Sequence, residues 1–172
     1  MKWLISPKRL TKDIPIESER AAILIATADA IGGIVRISGD FSNLSAFRQA
    51  LLQLRQSGHV FEHVEEAFYP GLLVAACYSD GKTVFKDAPR RCERLECALR
   101  SLGASVTRED CAVTVCGTGG LSGGGADAEE NEETSAYLAI AATAANQETI
   151  IENAAGEWFS TILAAGGRGI IL

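Results

Sequence analysis

Three of the side chains best suited to hold an anion, Arg90, Arg91 and Arg94, lie within five positions of one another. Pro89 precedes them and favours the first turn of a helix, where its missing N–H leaves no hydrogen bond unmade. Apolar residues then recur at helical spacing, at Leu95, Ala98, Leu99 and Leu102. Gly103 follows them, where a left-handed residue often ends a helix. Arginines beside the free N–H groups of a helix N-terminus bind carboxylates and phosphates, but clustered charges are also typical of a solvated helix face. Spacing alone leaves both interpretations open.

The composition is that of a globular protein with an acidic surface. The chain has 172 residues, a net charge of −6 and 47% hydrophobic residues, which suits one domain over residues 1–172 with a buried core. The negative charge argues against non-specific nucleic-acid binding, because such binding needs a basic surface. His59 and His63 are spaced to share a helix face, but no cysteine or carboxylate completes a zinc site beside them, so we expect no metal.

The cysteines and the hydropathy pattern predict a cytoplasmic protein. Five cysteines without a Cys-x-x-Cys pair indicate reduced thiols, several of them on apolar faces. The start of the chain lacks the apolar core and cleavage site of a signal peptide. No apolar run reaches the roughly 18 residues that predict a membrane span, so we expect no membrane partner.

One order of elements occurs three times along the chain. In each copy an apolar helix, a strand and an amphipathic helix follow one another. These elements cover residues 21–31, 34–37 and 47–54, then 71–78, 83–86 and 95–102, then 136–145, 149–152 and 158–163. The three repeats therefore span roughly residues 1–60, 61–116 and 117–172. Outside this order, residues 2–5 and 112–115 predict strands, and the glycine-rich residues 117–125 predict a flexible loop.

The three helices that are apolar all round determine the predicted fold class. Such a helix must be enclosed on every side, since none of its faces suits water. A layered domain with these helices inside and sheets outside satisfies that requirement. We therefore predict an α/β (α+β) fold of three pseudo-repeats.

The order of elements, the arginine cluster (Arg90, Arg91 and Arg94) and the Leu-x-x-Leu-Gly-Ala ending at residues 99–104 together resemble the enolpyruvyl transferase family. The best stretch, residues 72–104, is similar to the C-terminal domain of the EPSP synthases in that family. The resemblance implies three pseudo-repeats with buried helices inside and sheets outside, an inside-out α/β barrel. It also implies a second such domain, because a complete family enzyme closes two domains over its substrates.

The resemblance also implies a reaction. EPSP synthases move the enolpyruvyl group of phosphoenolpyruvate onto a hydroxyl of shikimate 3-phosphate and release phosphate, without a cofactor. Arg94 aligns with the arginine that binds the phosphoenolpyruvate carboxylate, and Arg90 and Glu93 replace the lysine and aspartate of the same motif. These three residues are therefore candidate substrate-binding residues.

Two other parts of the chain match functional positions of the family. Glu66 stands at or within one position of an aspartate that acts as a base, so it is the candidate catalytic residue; an acidic helix cap is the alternative. Ser18 and Arg20 match the Ser-x-Arg-Ala that binds the phosphate of shikimate 3-phosphate. A serine at a helix start is also a common N-cap.

Several positions depart from the family. Arg91 stands where the family has an acid/base glutamate, and a guanidinium does not exchange protons near neutral pH. Thr134 stands about where an arginine binds phosphoenolpyruvate, and the family's late lysine is missing from residues 155–159. The acidic segment, residues 127–133, carries five carboxylates, and each close like-charge pair with a trianionic ligand would cost roughly a few kcal/mol. Either this segment faces solvent or the pocket differs from that of the family.

Three functions fit these observations. The first is half of an enolpyruvyl transferase, completed by a second EPSP-synthase-like domain or by another copy of the chain, with phosphoenolpyruvate and shikimate 3-phosphate as substrates. The second is a non-catalytic binding or assembly module that keeps the fold without the active site. The third, an RNA 3′-phosphate cyclase-like domain, is opposed by the negative charge and by the absence of a nucleotide-binding loop.

Overall fold

The computed structural model describes residues 2–6, 14–15, 19–32, 37–38, 44–54, 58–165 and 168–171. In these ranges the helices are α1 Glu19–Ala30, α2 Ser45–Leu54, α3 Tyr69–Tyr78, α4 Glu93–Ser101, α5 Glu132–Ala144 and α6 Glu157–Ala165. The strands are β1 Lys2–Ser6, β2 Ile14–Pro15, β3 Ile37–Ser38, β4 His59–Phe61, β5 Asp80–Phe85, β6 Ser105–Glu109, β7 Ala112–Thr118, β8 Gly124–Asp127, β9 Thr149–Glu152 and β10 Arg168–Ile171.

Helices α1, α3 and α5 contact one another and form much of the core. Every residue of α3 except the last is buried, as are residues 134–143 of α5. This burial follows from their composition, because a helix with apolar side chains on all faces has no face for water. The predicted apolar helices are confirmed. None of the helices in the described ranges has the length and hydropathy needed to cross a membrane.

The described strands form two mixed four-stranded sheets and one short parallel pair. The first sheet has the order β10-β1-β9-β8, the second has the order β4-β5-β7-β6, and β2 pairs with β3. In the second sheet β4 and β5 are parallel, whereas β7 runs antiparallel to both β5 and β6. The fold is therefore mixed α/β, as predicted, while the division into three pseudo-repeats stays a prediction.

The glycine-rich stretch at residues 117–125 is not one flexible loop, and that prediction was wrong. Strand β7 continues to Thr118, and β8 begins at Gly124 and pairs in parallel with β9. One reason for glycine here is close approach between backbones: a Cβ at Gly117 would lie against the carbonyl oxygens of Ser79 and Ala76. This glycine allows packing of β7 against the end of α3 rather than mobility.

The two histidines do not share a helix face. His59 lies in β4, which pairs in parallel with β5, and His63 follows that strand. The ring of Phe61 in β4 stacks on Phe85 in β5 at 5.2 Å. The segment is a strand by its pairing with β5, which the four-residue spacing of the histidines did not reveal.

The five cysteines divide into two buried and three exposed thiols. Cys77 and Cys92 are buried, whereas Cys97, Cys111 and Cys116 are exposed. Burial raises the pKa of Cys77 and of Cys92 to about 12 in each case, so both thiols stay protonated and unreactive at pH 8.

We therefore expect three thiols of the native protein to react rapidly with an aromatic disulfide reagent at pH 8, and all five after unfolding. The measurement is the absorbance of the released thiolate against time. Substituting the buried Cys77 by serine should leave the fast phase unchanged, whereas Cys111→Ser should remove one third of it. A fast phase of five thiols in the native protein would contradict the burial of Cys77 and Cys92.

Candidate functional site

The arginine cluster is carried by a short 3-10 turn, Arg90–Cys92, and by the first turn of α4. Pro89 is extended, with φ −65° and ψ 132°, so it precedes the 3-10 turn instead of opening α4 directly. Cys92 is buried and fixes one side of the turn against the core. The two arginines of the turn consequently project away from the core.

A buried ion pair holds this turn in place. Arg108 of β6 donates to both carboxylate oxygens of Glu96, at 2.9 and 2.5 Å, and to the carbonyl oxygens of Ala88 and Pro89, each at 3.2 Å. Tyr69 donates its hydroxyl to Glu96 at 2.9 Å. Burial, and then the adjacent Glu96 carboxylate, raises the pKa of Tyr69 far above its usual value, so this hydroxyl remains a donor.

The sequence analysis missed this network. Glu96 is 1% exposed although it lies in an amphipathic helix, where a glutamate is normally solvated. A signal was present, because Glu96 is four residues after Cys92 and three before Leu99, which both lie on the buried face. Its partner Arg108 was not identifiable without the pairing of β6 with β7.

Arg91 lies between two carboxylates that are far apart in the sequence. Its guanidinium pairs with the carboxylate of Glu66 and donates to the Glu66 carbonyl oxygen at 3.0 Å. Its Nη1 donates to Glu133 Oε2 at 3.1 Å, across 42 positions of sequence. The predicted catalytic residue Glu66, in the turn before α3, is therefore held by Arg91.

The other arginines of the cluster are also paired. Arg94 Nε lies 3.0 Å from Glu129 Oε2, and Arg90 Nη1 lies 3.9 Å from Glu93 Oε1. Glu129 and Glu133 both belong to the acidic segment, so part of that segment turns towards the arginines instead of facing only solvent. The predicted substrate-binding residues Arg90, Glu93 and Arg94 are thus brought together, with their charges largely compensated.

A cavity of about 420 Å³ lies beside Arg91, near the N-termini of α1 and α5. Its described lining residues are Glu19, Arg20, Ile23, Ala67, Arg91, Asn131, Glu132, Glu133 and Tyr137. Arg20 is thus brought to the same cavity as Arg91, whereas Arg90, Glu93, Arg94 and Glu66 lie outside its lining. Ser18, the remaining predicted binding residue, lies outside the described residues.

The start of α5 shapes the acidic side of the cavity. Asn131 caps the helix by accepting the backbone N–H of Thr134 at 2.8 Å. Thr134 is buried and lies outside the cavity lining. Two arginines and three glutamates line the cavity, so its described walls carry a net negative charge.

Within the described ranges, no group of three His, Cys, Asp or Glu side chains is arranged to hold a metal ion.

Comparison with known proteins gives a likeness of fold. No family model matches the sequence, and no curated protein matches it. Among solved structures, the fold is that of the enolpyruvyl transferases. The chain is similar to the enolpyruvyl transferase NikO from Streptomyces tendae, with a TM-score of 0.69 and 15% sequence identity, over 88% of this chain and 43% of NikO.

The same fold occurs in EPSP synthase from Acinetobacter baumannii. Two structures of that enzyme match with TM-scores of 0.65 and 0.62 and identities of 14% and 12%. Each match covers 94% of this chain but only 47% or 48% of the enzyme. The resemblance to enolpyruvyl transferases is therefore confirmed for the fold, and the chain spans less than half the length of these structures.

Proposed function

We propose that this chain is one half of an enolpyruvyl-transferase-type active site, which a second domain of similar fold completes. The observation that carries the proposal is the extent of the structural match, which covers 88–94% of this chain but 43–48% of each neighbour. The proposed architecture is three pseudo-repeats around the buried α1, α3 and α5. The proposed reaction is transfer of the enolpyruvyl group from phosphoenolpyruvate to shikimate 3-phosphate.

The residue roles in this proposal follow the resemblance of the sequence motifs to those of the enolpyruvyl transferases. Arg94 would bind the phosphoenolpyruvate carboxylate, with Arg90 and Glu93 beside it, and Arg20 with Ser18 would bind the phosphate of shikimate 3-phosphate. Glu66 would act as the base only after its carboxylate leaves Arg91, because a base needs a free lone pair directed at the substrate. Closure of the second domain over the site would supply that rearrangement.

The ion pairs favour a second candidate, a non-catalytic binding or assembly module. Arg91 and Arg94 already have carboxylate partners, and Thr134 supplies no charge where the family has an arginine. The net negative cavity wall opposes two trianionic ligands. In this second candidate function, the fold serves to bind the surface of another protein, and the arginines only stabilise the chain.

Calorimetric titration of the chain with shikimate 3-phosphate, then with phosphoenolpyruvate added, separates the two candidates. For the transferase half we expect binding that Arg94→Ala weakens by about 10–100-fold, since a charge-assisted hydrogen bond contributes about 1.5–3 kcal/mol. The control is Arg48→Ala, an exposed arginine on α2, which should change nothing. If the folded wild-type chain gives no heat of binding at millimolar ligand, the transferase half is contradicted and the non-catalytic module is favoured.

A further inference from the structure

Two carboxylates of the acidic segment lie where the oxygens of an anionic ligand would contact the arginine cluster. Glu129 Oε2 is 3.0 Å from Arg94 Nε, and Glu133 Oε2 is 3.1 Å from Arg91 Nη1. Carboxylate and phosphate oxygens bind a guanidinium through the same N–H groups. A ligand anion and these side chains therefore compete for the same donors.

The backbone holds the segment in this position at some conformational cost. Glu129 and Glu130 both have positive φ, 51° and 55°, which non-glycine residues adopt reluctantly. Asp127 accepts the Glu129 backbone N–H at 2.8 Å and the Asn153 amide at 3.0 Å. Glu130 donates its N–H to the Asn153 carbonyl oxygen at 2.9 Å. These bonds present Glu129 to Arg94.

We propose that the acidic segment is an internal competitor of the anionic ligand, with the Glu129 and Glu133 carboxylates occupying Arg94 and Arg91 until a carboxylate or phosphate displaces them. The inference rests on the proposed function in one respect, that the arginine cluster is the anion-binding site. Arg91 also pairs with Glu66, so the segment controls Arg94 fully and Arg91 in part.

Displacement is feasible at Arg94 because its pair is accessible, whereas the side chains of Arg91 and Glu133 are 45% and 24% exposed. The side chains of Arg94 and Glu129 are 55% and 52% exposed, and exposed ion pairs are weak in water. The occupying carboxylates also repel an incoming anion, so their removal has two favourable effects on binding. We expect the combined gain in affinity to be about tenfold or more.

The test is calorimetric titration with inorganic phosphate of the wild-type chain and of the double variant Glu129→Gln, Glu133→Gln. The double variant should bind phosphate about tenfold more tightly, and adding Arg94→Ala should remove the gain. Glu130→Gln is the matched control, because it removes the same charge from the same segment without an arginine contact in the described structure. Circular dichroism verifies that each variant is folded.

A second variant changes the position of the segment and none of its carboxylates. Asn153→Gly removes the amide contact to Asp127, and glycine accepts the φ of 50° at that position. Tighter phosphate binding by this variant is expected, because one of the contacts that hold Glu129 against Arg94 is then lost, while the backbone bonds of Glu129 and Glu130 remain.

The outcomes separate this inference from the proposed function. Equal phosphate affinity in the wild type, the double variant and the Glu130 control overturns the inference, even where shikimate 3-phosphate binds. Tighter phosphate binding by the double variant, without binding of shikimate 3-phosphate and phosphoenolpyruvate, supports the inference and contradicts the transferase proposal. Absence of phosphate binding to every variant overturns the inference alone, because the transferase proposal is decided by the titration with shikimate 3-phosphate and phosphoenolpyruvate.

Discussion

Arg108→Met is expected to lower the free energy of unfolding by about 3–5 kcal/mol, because it leaves a buried carboxylate without its cation. Glu96 is 1% exposed and Arg108 13%, so water compensates Glu96 poorly once the guanidinium is gone. The variant also removes the donors to the carbonyl oxygens of Ala88 and Pro89. The measurement is equilibrium urea unfolding followed by circular dichroism.

The matched control is Arg100→Met, an arginine of α4 itself, which also contacts Cys97 Sγ at 2.8 Å. Its side chain is exposed and donates to the Val106 carbonyl oxygen at 3.4 Å, so we expect a loss of less than about 1 kcal/mol. A combined Glu96→Leu, Arg108→Met, Tyr69→Phe variant should recover at least half of the loss, because no buried charge or hydroxyl of the network remains unpaired. Equal losses for Arg108 and Arg100 would show that the pair is not a stabilising feature.

The ion pair also links stability to the candidate site. The same guanidinium that neutralises Glu96 holds the backbone just before Arg90 and Arg91. A weaker hold on that backbone would let the 3-10 turn, which carries Arg90 and Arg91, change its direction. Stability of β6 and the geometry of the arginine cluster therefore depend on one residue.

The sequence predicted the interior of each sheet better than its edges. Four strands of the two larger sheets were predicted from the sequence, namely β1, β5, β7 and β9. Each of them has a neighbouring strand on both sides. The four that were missed, β4, β6, β8 and β10, are all edge strands in the described sheets. Edge strands bury fewer residues; in β8 only Ala126 is buried, and in β6 only Val106. Such strands lack the alternation by which strands are predicted.

The arginines of the candidate site were predictable from the sequence, but the ion pairs that they form were not. The cluster of Arg90, Arg91 and Arg94 is visible in the sequence because the three lie within five positions. The partners of Arg91 and Arg94 are distant, as Arg91 and Glu133 are 42 positions apart. The charges meet where the 3-10 turn and α4, which contacts α5, lie beside the acidic segment. The charge balance of the site, which decides what ligand it accepts, therefore needed the structure.

Gly71→Ala is expected to destabilise the protein by about 1–3 kcal/mol, although alanine normally stabilises a helix relative to glycine by about 0.5–1 kcal/mol. A Cβ at Gly71 would lie 2.5 Å from Thr27 Oγ1 and 2.9 Å from Phe47 Cζ. Both neighbours are completely buried, so neither has space to move away. The glycine is what allows α3 to approach α1 this closely, and urea unfolding measures the effect.

Gly125→Ala in β8 is the control, because a Cβ at that position has nothing within 4 Å in the described structure. We expect this variant to change the free energy of unfolding by less than about 0.5 kcal/mol.

A double-mutant cycle with Thr27→Ala tests whether the Cβ of the alanine contacts Thr27. Thr27→Ala removes the nearest atom, whose hydroxyl donates only to the Ile23 carbonyl oxygen of its own helix. The Gly71→Ala, Thr27→Ala double variant should therefore lose less than the sum of the single losses, by about 0.5 kcal/mol or more. Additive losses would mean that the two helices separate elsewhere, and that their contact at Gly71 does not set the packing of the core on which the site is built.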